Sequence, residues 1–169
     1  MFLIFFTNNS NPAKTTDRLL SQDELIFVKN LNNMNLVSTR IITADVEALV
    51  QFYEHITQLT LKRFTPDFAE LQTKTATLAI GSVNTLKFFG GEDVAQANKN
   101  RTAIIEFMVE DVEKEYKRLA LFLEPYIVQK PTTMPWGNNS LLFRDPDGNL
   151  VNLFTPTTDA AIEKFAFKN

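Results

Sequence analysis

The stretch "LLFRDPDGNLVNLFTP", Leu141 to Pro156, decides how the chain is read. Alternating apolar runs flank "DPDG". Asp145 can hydrogen-bond the backbone ahead of it, Pro146 sets φ at the first central position, and Gly148 can take φ > 0 before the return strand. A hairpin is predicted. On its second strand, alternation sets one amide, Asn152, among apolar neighbours.

The hairpin closes the second of two copies of one pattern. "IITADVEALVQFY" (Ile41 to Tyr53) and "FMVEDVEKEYKRL" (Phe107 to Leu119) are related by an offset of 66 residues, which aligns Asp45 with Asp111, Val46 with Val112 and Glu47 with Glu113. Repeats of this kind fix architecture. Each copy is an alternating strand, an Asp suited to cap a helix, and apolar residues at helical spacing. These are Leu49, Phe52, Tyr53 and Ile56 in the first copy and Val112, Tyr116 and Leu119 in the second. Strand-like runs with turn signals follow each helix, at 60–65, 68–73 and 76–81, then at 126–130, 140–144 and 149–155. Two tandem βαβββ modules are predicted, 36–87 and 102–155, with a polar, Gly-containing linker over 88–101.

Residues 1–35 read as an N-terminal extension with Asn-rich punctuation around a short amphipathic helix. In that helix Ser21 and Glu24 have capping-box spacing ahead of Leu25, Val28 and Leu31. Met34 stands just before the first strand, so a second reading starts translation there. Residues 156–169 read as a helical tail carrying Ile162 and Phe165.

Composition narrows the classes. The chain has 169 residues, 44% hydrophobic and 22% charged, enough for one core. A formal charge of -3 without a long Lys/Arg run leaves no footprint for nucleic acid or an anionic membrane. With no cysteine there is no disulfide, thiolate metal site or cysteine nucleophile, and a cytoplasmic protein is expected. "MFLIFF" is too short for a signal-peptide core or a membrane span, and nothing else is apolar enough to cross a bilayer. No Ser-His-Asp set, phosphate loop or paired-carboxylate motif with supporting context stands elsewhere. His55, the single imidazole, falls near the end of the first helix, where it is expected to meet the last carbonyls.

The tandem βαβββ units, the strand-"DVE"-helix-"FY" opening and the closing "WGNNSLLFRDPDGNLVNLF" resemble the vicinal oxygen chelate superfamily, which contains glyoxalase I, the extradiol dioxygenases and the bleomycin and fosfomycin resistance proteins. The resemblance covers 36–155. It implies an α+β fold whose modules form a curved mixed sheet around a cup, with helices outside, and a homodimer. It also implies a divalent metal held by His, Gln or Glu at four strand positions. Aligned through the capping Asp and through "LAI" and "VNL", these positions are Ser38, Ile104, Ala79 and Asn152. That is a poor donor set for a transition ion. No metal and no other cofactor is expected, so metal-dependent glyoxalase or dioxygenase activity is not expected either.

Alternation puts Ser38, Arg40 and Ile42, then Ile104, Glu106 and Met108, then Leu150, Asn152 and Phe154 inside the cup. Trp136 is expected at the rim, either as a flat wall for a ligand or as part of a packed rim, beside the loop amides Asn138 and Asn139. The candidate ligand-binding set is Ser38, Arg40, Ile104, Glu106, Met108, Trp136, Asn152 and Phe154. Arg40 and Glu106 are repeat equivalents, and the resemblance sets their strands side by side. Two uses stay open: mutual neutralisation, or Arg40 gripping an anionic ligand group while Glu106 orients the ligand or takes an amine.

The leading expectation is a metal-independent small-molecule binder with an apolar, aromatic cup, similar to the bleomycin-resistance branch. The alternative is a lyase- or isomerase-type enzyme, with Glu106 as base and Arg40 stabilising negative charge. A third is a protein-interaction module using the N-terminal helix or the tail.

Overall fold

Two aspartates start the two long helices. Asp45 Oδ1 accepts from the amide of Ala48 at 3.0 Å, and Asp111 Oδ1 accepts from the amides of Glu113 and Lys114 at 2.9 and 3.1 Å. Each carboxylate satisfies amides that a helix N-terminus leaves without partners, and so sets where the helix begins. The structure, a computed structural model, describes residues 34–166. The helix expected around Ser21 to Leu31 lies outside the described residues.

From Val37 the chain forms one compact unit. The first module is β1 (Ser38–Thr43), α1 (Val46–Thr57), β2 (Lys62–Thr65), β3 (Phe68–Gln72) and β4 (Thr77–Ser82). Short 3₁₀ helices follow at Val83–Phe88 and Glu92–Val94. The second module is β5 (Ile104–Met108), α2 (Val112–Leu123), β6 (Ile127–Thr133), β7 (Asn138–Arg144) and β8 (Leu150–Pro156), followed by α3 (Asp159–Phe165). Each module makes a four-stranded mixed sheet, in the orders β1-β4-β3-β2 and β5-β8-β7-β6. The first strand runs parallel to the last, and the other pairs are antiparallel. The mixed sheet implied by the resemblance is thus present as two sheets, with β1 and β5 each an edge strand of its own sheet.

One face of each sheet turns to α1 and α2, and the two faces share a single core. Ile41, Leu71 and Ile80 from the first sheet join Leu141, Phe143, Val151 and Leu153 from the second, together with Leu49, Val50, Phe52 and Tyr53 of α1 and Leu119 and Leu123 of α2. Phe52 shows how far α1 reaches into the second module. Its ring lies 5.6 Å from Phe122, 5.5 Å from Tyr126 and 6.1 Å from Phe143. Truncating a buried Phe of this kind costs about 3–5 kcal/mol.

Two polar ties cross the same boundary. Arg118 of α2 donates to the carbonyls of His55 and Ile56 at 3.3 and 2.6 Å, closing the end of α1. This corrects the expectation for His55: the guanidinium reaches those carbonyls, and the imidazole stacks on Phe122 at 4.0 Å. The second tie is in the "DPDG" turn. The backbone closes as predicted, with Gly148 at φ 81° and its amide donating to the Asp145 carbonyl at 2.8 Å. The Asp145 carboxylate accepts from the amide and side chain of Asn149, both at 2.8 Å, and from the Tyr53 hydroxyl at 2.9 Å. Three donors let a carboxylate stay buried.

The other face of each sheet, here the far face, receives the chain that follows the module's last strand. After β4, Ser82 caps the 3₁₀ helix through Asn84 N at 3.0 Å, and Leu86 is buried. Thr85 there lies against Gly81 beside Arg40 and Ile42, which are far-face residues. After β8, Thr158 caps α3 through Ala161 N at 3.3 Å. Ala161 is buried, and Phe165 packs on Phe154 with ring centroids 5.1 Å apart. The repeat therefore extends one element past the final strand of each module. Among the described residues no helix is long and apolar enough to cross a membrane.

Candidate functional site

Register shows which side chains share a far face. Arg40 pairs with Ala79 and Ile42 with Gly81 in the first sheet; Ile104 pairs with Leu150, Glu106 with Asn152 and Met108 with Phe154 in the second. Their sequence neighbours Ile41, Phe107, Val151 and Leu153 belong to the shared core or pack on it. The structure divides the candidate set. Ser38 and Arg40 lie on the first module, Ile104, Glu106, Met108, Asn152 and Phe154 on the second, and Trp136 is exposed in the turn before β7.

Arg40 and Glu106 do not pair. Because β1 and β5 belong to different sheets, each residue takes the partner its own sheet offers. The Arg40 guanidinium lies over the rings of Phe68 and Phe89, at 4.7 and 5.3 Å from their centroids. Such cation–π contacts contribute about 0.5–1 kcal/mol at exposed sites. They leave the N–H donors unused, and those donors make no hydrogen bond within the described residues. Glu106 Oε1 accepts from Asn152 Nδ2 at 2.9 Å, across a register pair.

That bond orients the Asn152 amide. With Nδ2 on Glu106, Oδ1 points to the opposite side, where it is buried and unpartnered. Asn138 Oδ1 and Ser140 Oγ are in the same condition. The residues are 6%, 7% and 1% exposed, respectively. All three occupy one face, since Ser140 pairs with Phe154 and Leu142 with Asn152. A buried polar atom without a partner costs about 1–3 kcal/mol, and native proteins carry few. Asn139 alternates to the core side, where its Nδ2 donates to Glu113 Oε1 at 3.3 Å and its Oδ1 is likewise buried without a partner.

Sequence reasoning placed Asn138 in an exposed loop and passed over Ser140. The signal was in β7 itself: in "NNSLLFR" the residues Asn138, Ser140 and Leu142 share one face, while Leu141 and Phe143 take the other. Asn138 opens the strand and is buried, on the face over which α3 returns through Phe165 on Phe154.

The metal implied by the resemblance does not fit these residues. Ser38, Ala79, Ile104 and Asn152 offer one hydroxyl and one amide between them, and the amide is committed to Glu106. No group of three or more His, Asp or Glu is gathered among the described residues. The main perturbed groups lie elsewhere. Burial first, and the Asp145 carboxylate second, hold the Tyr53 phenol well above its ordinary range. Hydrogen bonds from Ser82 and then Asn84 hold Asp67 below the usual carboxylate range. Hollows of about 490 and 600 Å³ lie beside the first turn and the outer side of α2, and neither is lined by a candidate ligand-binding residue.

The same architecture recurs in solved structures. A protein described as a "conserved domain protein" is 27% identical, with a TM-score of 0.59 over 73% of this chain and 100% of its own. A glyoxalase/bleomycin resistance protein/dioxygenase from Nocardioides is 20% identical, with a TM-score of 0.62 over 81% of this chain and 95% of its own. A glyoxalase/bleomycin resistance protein/dioxygenase family enzyme from Burkholderia phytofirmans PsJN is 16% identical, with a TM-score of 0.64 over 73% of this chain and 99% of its own. No curated protein matches the chain. The family model of the Glyoxalase/Bleomycin resistance protein/Dioxygenase superfamily matches residues 35–153, most of the chain and both modules. The chain belongs to that superfamily.

Proposed function

We propose that the protein is a metal-independent small-molecule binder that works as a homodimer and holds its ligand against the far faces of the sheets. The observation that carries this reading is Arg40. Its guanidinium lies over two aromatic rings with its donors unspent, on the strand where metal-using relatives place a ligand. A flat cation held over aromatic rings suits an anionic or planar ligand group. The exposed side chains of Phe89, Ile104 and Trp136 add apolar surface of the kind that ligand sites use.

The dimer rests on the bare edges. Among the described residues β1 pairs with β4 alone and β5 with β8 alone, and exposed Ser38, Thr39 and Ile104 lie on these edge strands. Unpaired edges with exposed apolar side chains are where another chain adds on.

Thermal-shift screening against metabolites and antibiotics, with sedimentation to count chains, tests both parts. The expected result is a dimer stabilised by a ligand, with the shift reduced in Arg40→Ala. A monomer that no compound stabilises would overturn the reading. One observation favours the enzymatic alternative: Glu106 is free of Arg40 and exposed, as a general base for proton transfer needs to be. If that alternative holds, Glu106→Gln abolishes turnover of the stabilising ligand and leaves its binding in place.

A further inference from the structure

We infer that the far face of the second module recognises a protonated amine, or a similar cationic group with several N–H donors, carried on an apolar or aromatic body. This rests on the proposed ligand-binding role of the far faces and names the chemistry that one of them takes. Four observations converge on it. Asn152 Oδ1 is an acceptor by orientation, because the amide nitrogen is committed to Glu106. Ser140 Oγ and Asn138 Oδ1 are buried on the same face, also without partners. Glu106 is a carboxylate with no cation beside it among the described residues, and only one of its oxygens receives the Asn152 amide. Around these polar atoms stand Phe154, in register with Ser140, Met108, in register with Phe154, and Ile104, two residues before Glu106 on β5.

Asn152 Oδ1, Asn138 Oδ1 and the Glu106 carboxylate accept, and the hydroxyl of Ser140 can accept as well; the Asn138 amide nitrogen is a donor, but it stands two residues before Ser140 on β7, away from Glu106. The complement of such a set is a donor. A neutral carbonyl or a carboxylate would meet lone pairs and a negative charge, whereas an ammonium or amidinium meets Asn152 Oδ1, Ser140 Oγ and Glu106 with charge-assisted hydrogen bonds. The route in is on the β5 side. Ile104 is 52% exposed there and Glu106 is exposed, while α3 covers the β8 side through Phe165 on Phe154. The two far faces thus have opposite polarity: donors at Arg40 in the first module, acceptors at Asn152, Ser140 and Glu106 in the second.

The test uses the full chain and three probes of one shape: benzylamine, benzyl alcohol and benzoate. Calorimetry measures affinity, and the side-chain amide resonances of Asn152 and Asn138 locate binding. The expected result is that benzylamine shifts both amides and binds at least about tenfold more tightly than benzyl alcohol, with benzoate absent from this face. Ser140→Ala and Glu106→Gln should each weaken benzylamine by about tenfold or more. If benzyl alcohol or benzoate shifts these amides as strongly as benzylamine, the inference is overturned and the binding role stands. If no probe shifts them at millimolar concentration, the orphaned atoms hold water only and the inference is overturned, with the binding role decided separately by the thermal-shift screen.

Discussion

The hydroxyl of Tyr53, in the helix of the first module, donates to the carboxylate of Asp145, which opens the closing turn of the second. The residues are 92 apart in sequence, and both are buried. Tyr53→Phe removes one of three donors to Asp145 and leaves the two from Asn149 in place. A loss of about 1.5–3 kcal/mol is expected, read as a lower urea midpoint with an unchanged slope.

The same phenol has a pH signature. Burial raises its folded-state pKa above the unfolded value, so its contribution is fully present below about pH 10 and is lost as pH rises through the folded pKa. Above the ordinary tyrosine value the unfolded phenol ionises while the folded one resists, and that difference drains stability. Absorbance titration of the three tyrosines should show one that resists ionisation until the protein unfolds. In Tyr53→Phe the alkaline fall in stability should flatten.

Arg118→Ala uncovers the carbonyls of His55 and Ile56 at the end of α1. Because the side chain is partly solvated, about 1 kcal/mol is expected. Hydrogen exchange should quicken in the last turn of α1 more than in the second sheet.

Ser140→Ala should stabilise the apo protein. It deletes a buried hydroxyl that has no partner, and removing such an atom recovers about 1 kcal/mol, seen as a higher Tm. A lower Tm would mean that an ordered water satisfies the hydroxyl.

Gly137 lies at φ 89°, and a Cβ there would collide with the side chain of Thr158, the residue that caps α3. Gly137→Ala should therefore loosen α3 by about 1–3 kcal/mol while sparing the shared core. Limited proteolysis should cut first within 157–165 in the variant.

Features carried by neighbouring residues were legible in the sequence. The capping aspartates, the "DPDG" turn and the alternation that separates Ile41 and Phe107 from Arg40 and Glu106 all follow from spacing alone. Features that depend on register or on distant pairing were not. Repeat equivalence related Arg40 to Glu106, but no local pattern reveals that β1 and β5 belong to separate sheets, or that Glu106 finds Asn152 one strand away. Asp145 looked sufficient as a turn residue, and its buried partner Tyr53 has no signature near it in sequence. Ser140 was readable by alternation, yet its burial depends on a helix that returns from 159–165.

That returning helix has a consequence for how such a protein can change. Val83–Phe88 and α3 both lie outside the core that the two modules share, and each borders one polar surface. A substitution at Phe89 or Phe165 would resize the space over Arg40 or beside Asn152 without disturbing Phe52, Tyr53 or Asp145. Selectivity can therefore drift at these two trailing segments while the doubled scaffold stays constant, so relatives with nearly superimposable backbones need not share a ligand.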